Sequence, residues 1–187
     1  MSIPQVVLFY KPVGYITSHN WEEKHRSIFE LLPKKYHSYH FVGRLDYNTE
    51  GLLLLSNSRE FVHYMTLPKN QIVRRYEVKL FGRTEIKRIS EILQKGVIIN
   101  NFKYLPIYTK IMSSTKNNHR LLLTMREGKN REIRKIMSHL DLKVAKIKRV
   151  SYGKFALTSL KRAQFIHASE KIIEYYMNKI NERVGTN

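Results

Sequence analysis

Cysteine is absent from the 187 residues, glycine (8) and proline (5) are scarce, and 15 acidic side chains face 34 lysines and arginines. Without cysteine there is no disulfide framework, no thiol nucleophile and no Cys-ligated zinc, which suits a reducing, cytoplasmic compartment. Few glycines and prolines beside 42% hydrophobic residues exclude a disordered basic tail and leave enough apolar side chain for a core. No run approaches ~18 apolar residues, so no membrane span is expected. The start, MSIPQVVLFYKPVG, lacks the cationic and apolar stretches of a signal peptide. His37 and His40 have no cysteine or carboxylate cluster near them, so no metal site is expected. The phosphate-loop, dinucleotide and nucleophile-elbow fingerprints are missing, and no cofactor is expected.

What is present is positive charge and aromatic surface. A formal net charge of +19 points to a polyanion, and twelve tyrosines and eight phenylalanines favour nucleic acid, whose bases stack on aromatic faces. A basic membrane-surface protein is disfavoured, because no helix pairs a basic face with exposed Trp or Phe. Trp21, alone in a polar segment, reads as a lid over the first helix or as a stacking residue.

One domain spanning 1–187, with two lobes at most sharing a core, fits the length. Val6–Tyr10 reads as a strand ended by the turn Lys11-Pro12-Val13-Gly14. Ser27 and Glu30 have capping-box spacing, with Pro33 as a stop. The four leucines after Gly51 predict a fully buried strand. Asn57 or Ser58 caps a helix carrying Phe61, Val62 and Met65. Alternation over Arg74–Phe81 predicts a half-buried strand. Thr84 is expected to cap a helix with Ile86, Ile89 and Leu93, closed by Gly96. Strands are expected at Val97–Ile99, Tyr104–Met112, Arg120–Met125 and Val144–Val150, with an exposed loop at Ser113–Asn118. Helices are expected over Asn130–Leu140 and around Ile172, Ile173, Met177 and Ile180. Strand runs with interspersed helices predict an α+β fold with a largely antiparallel sheet.

Two stretches carry candidate chemistry. In Gly43-Arg44-Leu45-Asp46-Tyr47-Asn48-Thr49-Glu50-Gly51 an isolated aspartate sits in a tight loop before an apolar run. Its carboxylate can serve as nucleophile or base, or Asp46 and Asn48 merely build the turn. In Glu127–Met137, Ile133, Ile136 and Met137 share one helical face while Arg131, Arg134 and Lys135 share the other. That basic face can hold phosphates or neutralise a carboxylate, or it is only solvated.

KPVGYITS at 11–18, GRLDYNTEGLLLLSN at 43–57, RRYEV at 74–78, EGKNREIRKIM at 127–137 and KIKRVSYGKFAL at 146–157 occur in this order. Together they resemble the bacterial ribosomal RNA pseudouridine synthases, the branch of the small-subunit enzyme and its large-subunit relatives. The resemblance implies a pseudouridine synthase fold and isomerisation of a specific uridine in ribosomal RNA, of the large subunit by its likeness to the E-type enzyme. It implies Asp46 as the catalytic residue, Tyr76 against the uracil and Arg134 paired with Asp46. Arg44, Arg74, Lys129, Arg131, Lys135 and Arg149 become candidate RNA contacts. It also implies a monomer without cofactor or metal, and no separate small RNA-binding domain before the catalytic motifs. The chain departs from the family in having Arg74 for a usual lysine, Asn57-Ser58-Arg59 for Asn-Asp-Gly, and Glu132 for a usual glutamine. A non-catalytic ribosome-assembly factor that kept the synthase fold is the competing expectation.

Overall fold

Strand β1 (Val6–Lys11) opens the chain, followed by β2 (His40–Val42), β3 (Glu50–Ser56), α1 (Arg59–Thr66), β4 (Arg74–Phe81) and α2 (Ile86–Lys95). A small hairpin of β5 (Ile98–Ile99) and β6 (Phe102–Lys103) comes next, then β7 (Tyr108–Ser114), β8 (Asn118–Met125) and α3 (Glu132–His139). The chain closes with β9 (Lys143–Tyr152), β10 (Phe155–Ala156), β11 (Phe165–His167) and α4 (Glu170–Val184). This computed structural model describes residues 3–19 and 25–184, so Trp21 lies outside the described residues.

The main sheet runs β11-β1-β3-β9-β4-β8-β7, with β2 attached to β3 and β10 to β9. Every pairing is antiparallel except β3–β9. That parallel contact is short, Glu50 beside Lys148 and Gly51 beside Arg149, and it joins two antiparallel half-sheets at a seam. The predicted α+β class with a mixed, largely antiparallel sheet is what the chain adopts.

The leucine run explains itself at this seam. Leu52 and Leu54 point into one core and Leu53 and Leu55 into the other, so β3 is buried on both faces. Burying each such side chain contributes about 1.5–3 kcal/mol. The first core lies under α2 and α3 and takes Tyr76, Val78 and Leu80 from β4. The second lies under α1 and α4, where Ile173, Tyr176 and Ile180 form the buried stripe. Ser58 caps α1 by accepting from Phe61 N–H at 3.2 Å, and Ser27 and Glu30 form the expected capping box, on a single 3-10 turn.

Several boundaries differ from expectation. Helix α2 begins at Ile86 with Glu85 at its N-cap and no side-chain cap, so Thr84 is not the capping residue. Around Pro106, which has no N–H for a ladder, the chain serves α2 instead: Ile107 N–H donates to Leu93 O at 2.8 Å. Regular pairing therefore starts at Tyr108 and continues through Ser114, and the expected Ser113–Asn118 loop contracts to a hairpin turn. Helix α3 starts at Glu132, because Arg131 is in the left-handed region at φ 52° and breaks the helical run.

Candidate active site

The loop between β2 and β3, bearing Asp46, is fastened from several sides. Thr49 N–H donates to Asp46 O at 3.0 Å and closes a turn. Gly14 N–H donates to Tyr47 O at 3.0 Å. Thr17 Oγ1 donates to Leu45 O at 3.0 Å and accepts from Leu45 N–H. Lys11, at the end of β1 and fully buried, donates from Nζ to Pro12 O, Asp46 O and Thr49 O at 2.9, 3.1 and 2.8 Å. From α3, Arg134 Nη2 donates to Asn48 O at 2.9 Å. Asx-type local bonding is thus a minor part of what shapes this loop; most of its carbonyls are held by distant segments.

Gly51 sets the loop against the seam. A Cβ there would stand 2.7 Å from Arg149 N and closer still to Arg149 O, and the φ of +111° also favours glycine. The β3–β9 contact depends on this close approach.

A pocket of about 430 Å³ opens between that loop, β4 and the segment leading into α3. Asp46, Tyr76 and Arg134 all line it, although they come from three distant stretches of chain. Tyr76 is 9% exposed, packed among the core side chains, and lines the cavity. Leu45, Met125, Ile133 and Ile147 give the pocket apolar walls suited to a planar base. Arg44, Lys129 and Arg131, exposed, bring three cations to its rim, of which Lys129 is ion-paired with Glu127.

The electrostatics follow from burial and neighbours. Burial pushes the Lys11 ammonium down to about 8, with the Asp46 carboxylate opposing the shift and Arg149 adding to it. Burial also lowers Arg134, Arg131 adding to the effect and Asp46 opposing it. Asp46 therefore lies in the field of two cations. No ion pair within 4.0 Å joins Arg134 to Asp46 among the described residues; the guanidinium reaches the loop through the Asn48 carbonyl. Burial raises Glu132, at the first turn of α3, to about 7, and the neighbouring Glu127 charge adds to the rise. Its Oε2 accepts from Lys129 N–H at 2.8 Å.

The remaining expected RNA contacts separate. Lys135 is exposed on α3 outside the pocket lining. Arg74 donates to Tyr152 Oη at 2.7 Å and stacks 4.6 Å from that ring, so its head is occupied. Arg149 is a correction: it is 2% exposed, donates from Nε to Leu52 O at 2.7 Å and lies over Tyr152, buried at the seam where no phosphate reaches it. Lys11 and Thr17 were not singled out from the sequence. The lysine that ends an otherwise apolar strand, directly before Pro12, was the available signal.

Comparison with known proteins accords with this arrangement. The family model described as RNA pseudouridylate synthase matches residues 5–139. A Rickettsia felis protein named an uncharacterized RNA pseudouridine synthase is 37% identical over 174 residues, 91% of this chain and 73% of that protein. A Buchnera aphidicola protein named ribosomal large subunit pseudouridine synthase B is 33% identical over 187 residues, 96% of this chain and 71% of its own length. A crystal structure of a pseudouridylate synthase superposes with a TM-score of 0.82 at 24% identity, covering 91% of this chain and 73% of that one, which supports the fold.

Proposed function

The chain belongs to the RNA pseudouridylate synthase family, and from that premise we propose that it converts a uridine of large-subunit ribosomal RNA to pseudouridine with Asp46 as the catalytic residue. The convergence of Asp46, Tyr76 and Arg134 on one pocket carries this reading. The large-subunit assignment rests on the Buchnera relative.

The isomerisation breaks the N1–C1′ bond, turns the uracil and joins C5 to C1′; the C5 proton is lost and N1 ends protonated, so atoms balance within the substrate. A uracil stacked in a helix cannot enter a pocket of this depth, so the nucleotide is taken out of the stack. Asp46 then acts on the ribose–uracil unit. Lys11 and Arg134 set two cations in the field of its carboxylate and hold its loop in place. Tyr76 stacks against the base, and the rim cations Arg44, Lys129 and Arg131 hold flanking phosphates, which position without specifying sequence. The single-domain, monomeric organisation expected from the sequence suits this use of one pocket.

The test maps pseudouridines in ribosomal RNA from cells with the gene, without it, and with Asp46→Asn. One modified uridine is expected to vanish on deletion and to return with the parent protein but not with the variant. An unchanged map, or rescue by Asp46→Asn, would assign the chain to the non-catalytic binding class.

A further inference from the structure

The two faces of the sheet are not equally covered. On the face away from the pocket, α1 and α4 shield only the β1–β3 half: the buried cluster there contains Leu8, Leu52, Leu54, Phe61 and Ile173, and no residue of β4, β7 or β8. The β9-β4-β8-β7 half is left open on that side. Strand alternation directs Lys79, Arg120, Lys146 and Lys148 onto it, where they line a groove of about 250 Å³ with Met112, Glu50 and Glu77.

The register sharpens the observation. Lys79 pairs with Arg120 on β8 and with Lys146 on β9, so three cations stand abreast across adjacent strands. Directly opposed side chains have Cβ atoms about 4.5–5.5 Å apart, and like charges so placed destabilise a sheet. Glu50 relieves only one of the three, pairing with Lys146 at 2.7 Å while Arg162 and Tyr10 take its remaining capacity. The register sets Glu77 across from Lys148, but Lys79, Arg120 and Lys148 form no ion pair within 4.0 Å among the described residues. On the same open half-sheet, Tyr108 is 59% exposed and Met112 45% exposed.

We propose that this open half-sheet is a second RNA-binding surface, which holds the ribose–phosphate backbone of the substrate RNA on the side opposite the catalytic pocket. A polyanion strand supplies the negative charge that the cation row lacks within the protein, and Tyr108 offers a face on which a base can stack. The two faces meet only around the end of β8: Tyr108 pairs with Thr124, whose chain neighbour Met125 points to the opposite face and lines the catalytic cavity. RNA leaving the pocket reaches this face by passing around that end of the strand. The proposal rests on the reading that the chain acts on RNA, and it extends the contact area beyond the pocket rim.

The test measures binding of transcribed large-subunit ribosomal RNA against salt for the combined variant Lys79→Ala, Arg120→Ala, Lys148→Ala. As a control, Lys87→Ala, Arg88→Ala and Lys95→Ala remove three exposed cations from α2. The first variant is expected to lose at least ~10-fold in affinity and to flatten the salt slope by about 2–3, roughly one per lost phosphate contact, while the control stays near the parent. In the unsubstituted protein, bound RNA should shield Lys79 and Lys148 from acetylation, a readout independent of any variant's folding. Unchanged affinity and slope, an equal loss in the control, or full lysine reactivity in the complex each overturns the proposal. Binding is read without turnover. A chain that binds through this face yet modifies no uridine refutes the catalytic reading and leaves this one standing.

Discussion

Lys11 Nζ donates to the carbonyl oxygen of Asp46 at 3.1 Å, so the end of the first strand is bonded to the backbone of the proposed catalytic residue itself. The same ammonium holds the Thr49 carbonyl at 2.8 Å, spanning both ends of the turn that presents the carboxylate. A cation placed there both fixes the turn and contributes to the field around Asp46.

Lys11→Met should therefore damage stability and chemistry together. The substitution keeps most of the apolar stem but leaves buried carbonyls without their donor, at about 1–3 kcal/mol for an unsatisfied buried group. Denaturant unfolding should show a loss of roughly that size. Single-turnover isomerisation should fall by more than the affinity for RNA. A variant with full activity would show that the turn is held well enough by its remaining bonds to Gly14, Thr17 and Arg134.

Gly51→Ala should destabilise the fold without touching any catalytic group. Its Cβ would meet the Arg149 backbone at the seam, at a φ of +111° that L-residues rarely adopt. Relief requires parting β3 from β9, the only link between the half-sheets by strand pairing among the described residues. Thermal unfolding is expected to drop by several degrees or more, and a parent-like melting temperature would show that the seam tolerates separation.

Much of this was readable from residue order, and the exceptions have physical causes. The leucine run, the Tyr76–Val78–Leu80 alternation and the α2 stripe follow from local periodicity, which burial reinforces. Asp46, Tyr76 and Arg134 were legible through their motifs, and the fold brings them to one pocket. Arg149 was expected at the RNA through its motif, yet it is buried; its depth is set by a parallel pairing between segments about a hundred positions apart, which no local pattern encodes. Lys11 was overlooked for the converse reason, since its partners are carbonyls and leave no trace in side-chain identity. The left-handed Arg131 starts α3 at Glu132, a backbone turn that helical periodicity does not encode.

Glu132→Gln should change how stability responds to pH. Burial raises the Glu132 carboxyl to about 7 from its ordinary 4.5. Between those values the folded chain keeps a proton that the unfolded chain has released, so stability falls as pH rises through the window and levels off above it. Glutamine has no proton to lose. The variant should match the parent near pH 4.5 and exceed it at pH 8, by on the order of 1–2 kcal/mol, less than the full shift because Glu127 and the loop can relax. Parallel unfolding curves for parent and variant from pH 5 to 8 would refute the assignment.

Arg134→Met separates two uses of the cation on α3. Arg134 is half-buried, lines the pocket, and donates to Asn48 O two residues beyond Asp46. If its value lay in phosphate contact, the loss would appear as weaker RNA binding with a salt slope lower by about one. The geometry instead places its head against the Asp46 loop, while Arg44, Lys129 and Arg131 remain at the pocket rim as the proposed RNA contacts. Removing it frees the Asn48 carbonyl and takes one of two cations from the field around Asp46. The Asp46 carboxylate should then be less well oriented beneath a bound base. The expected result at saturating RNA is a single-turnover rate constant reduced by about 10²-fold or more, roughly 2.7 kcal/mol of barrier, with the dissociation constant changed by less than about threefold. Arg134→Lys should recover part of the rate by restoring charge without the reach to Asn48. An unchanged rate constant beside a weakened dissociation constant would move Arg134 to the phosphate contacts and leave Lys11 as the cation that serves Asp46.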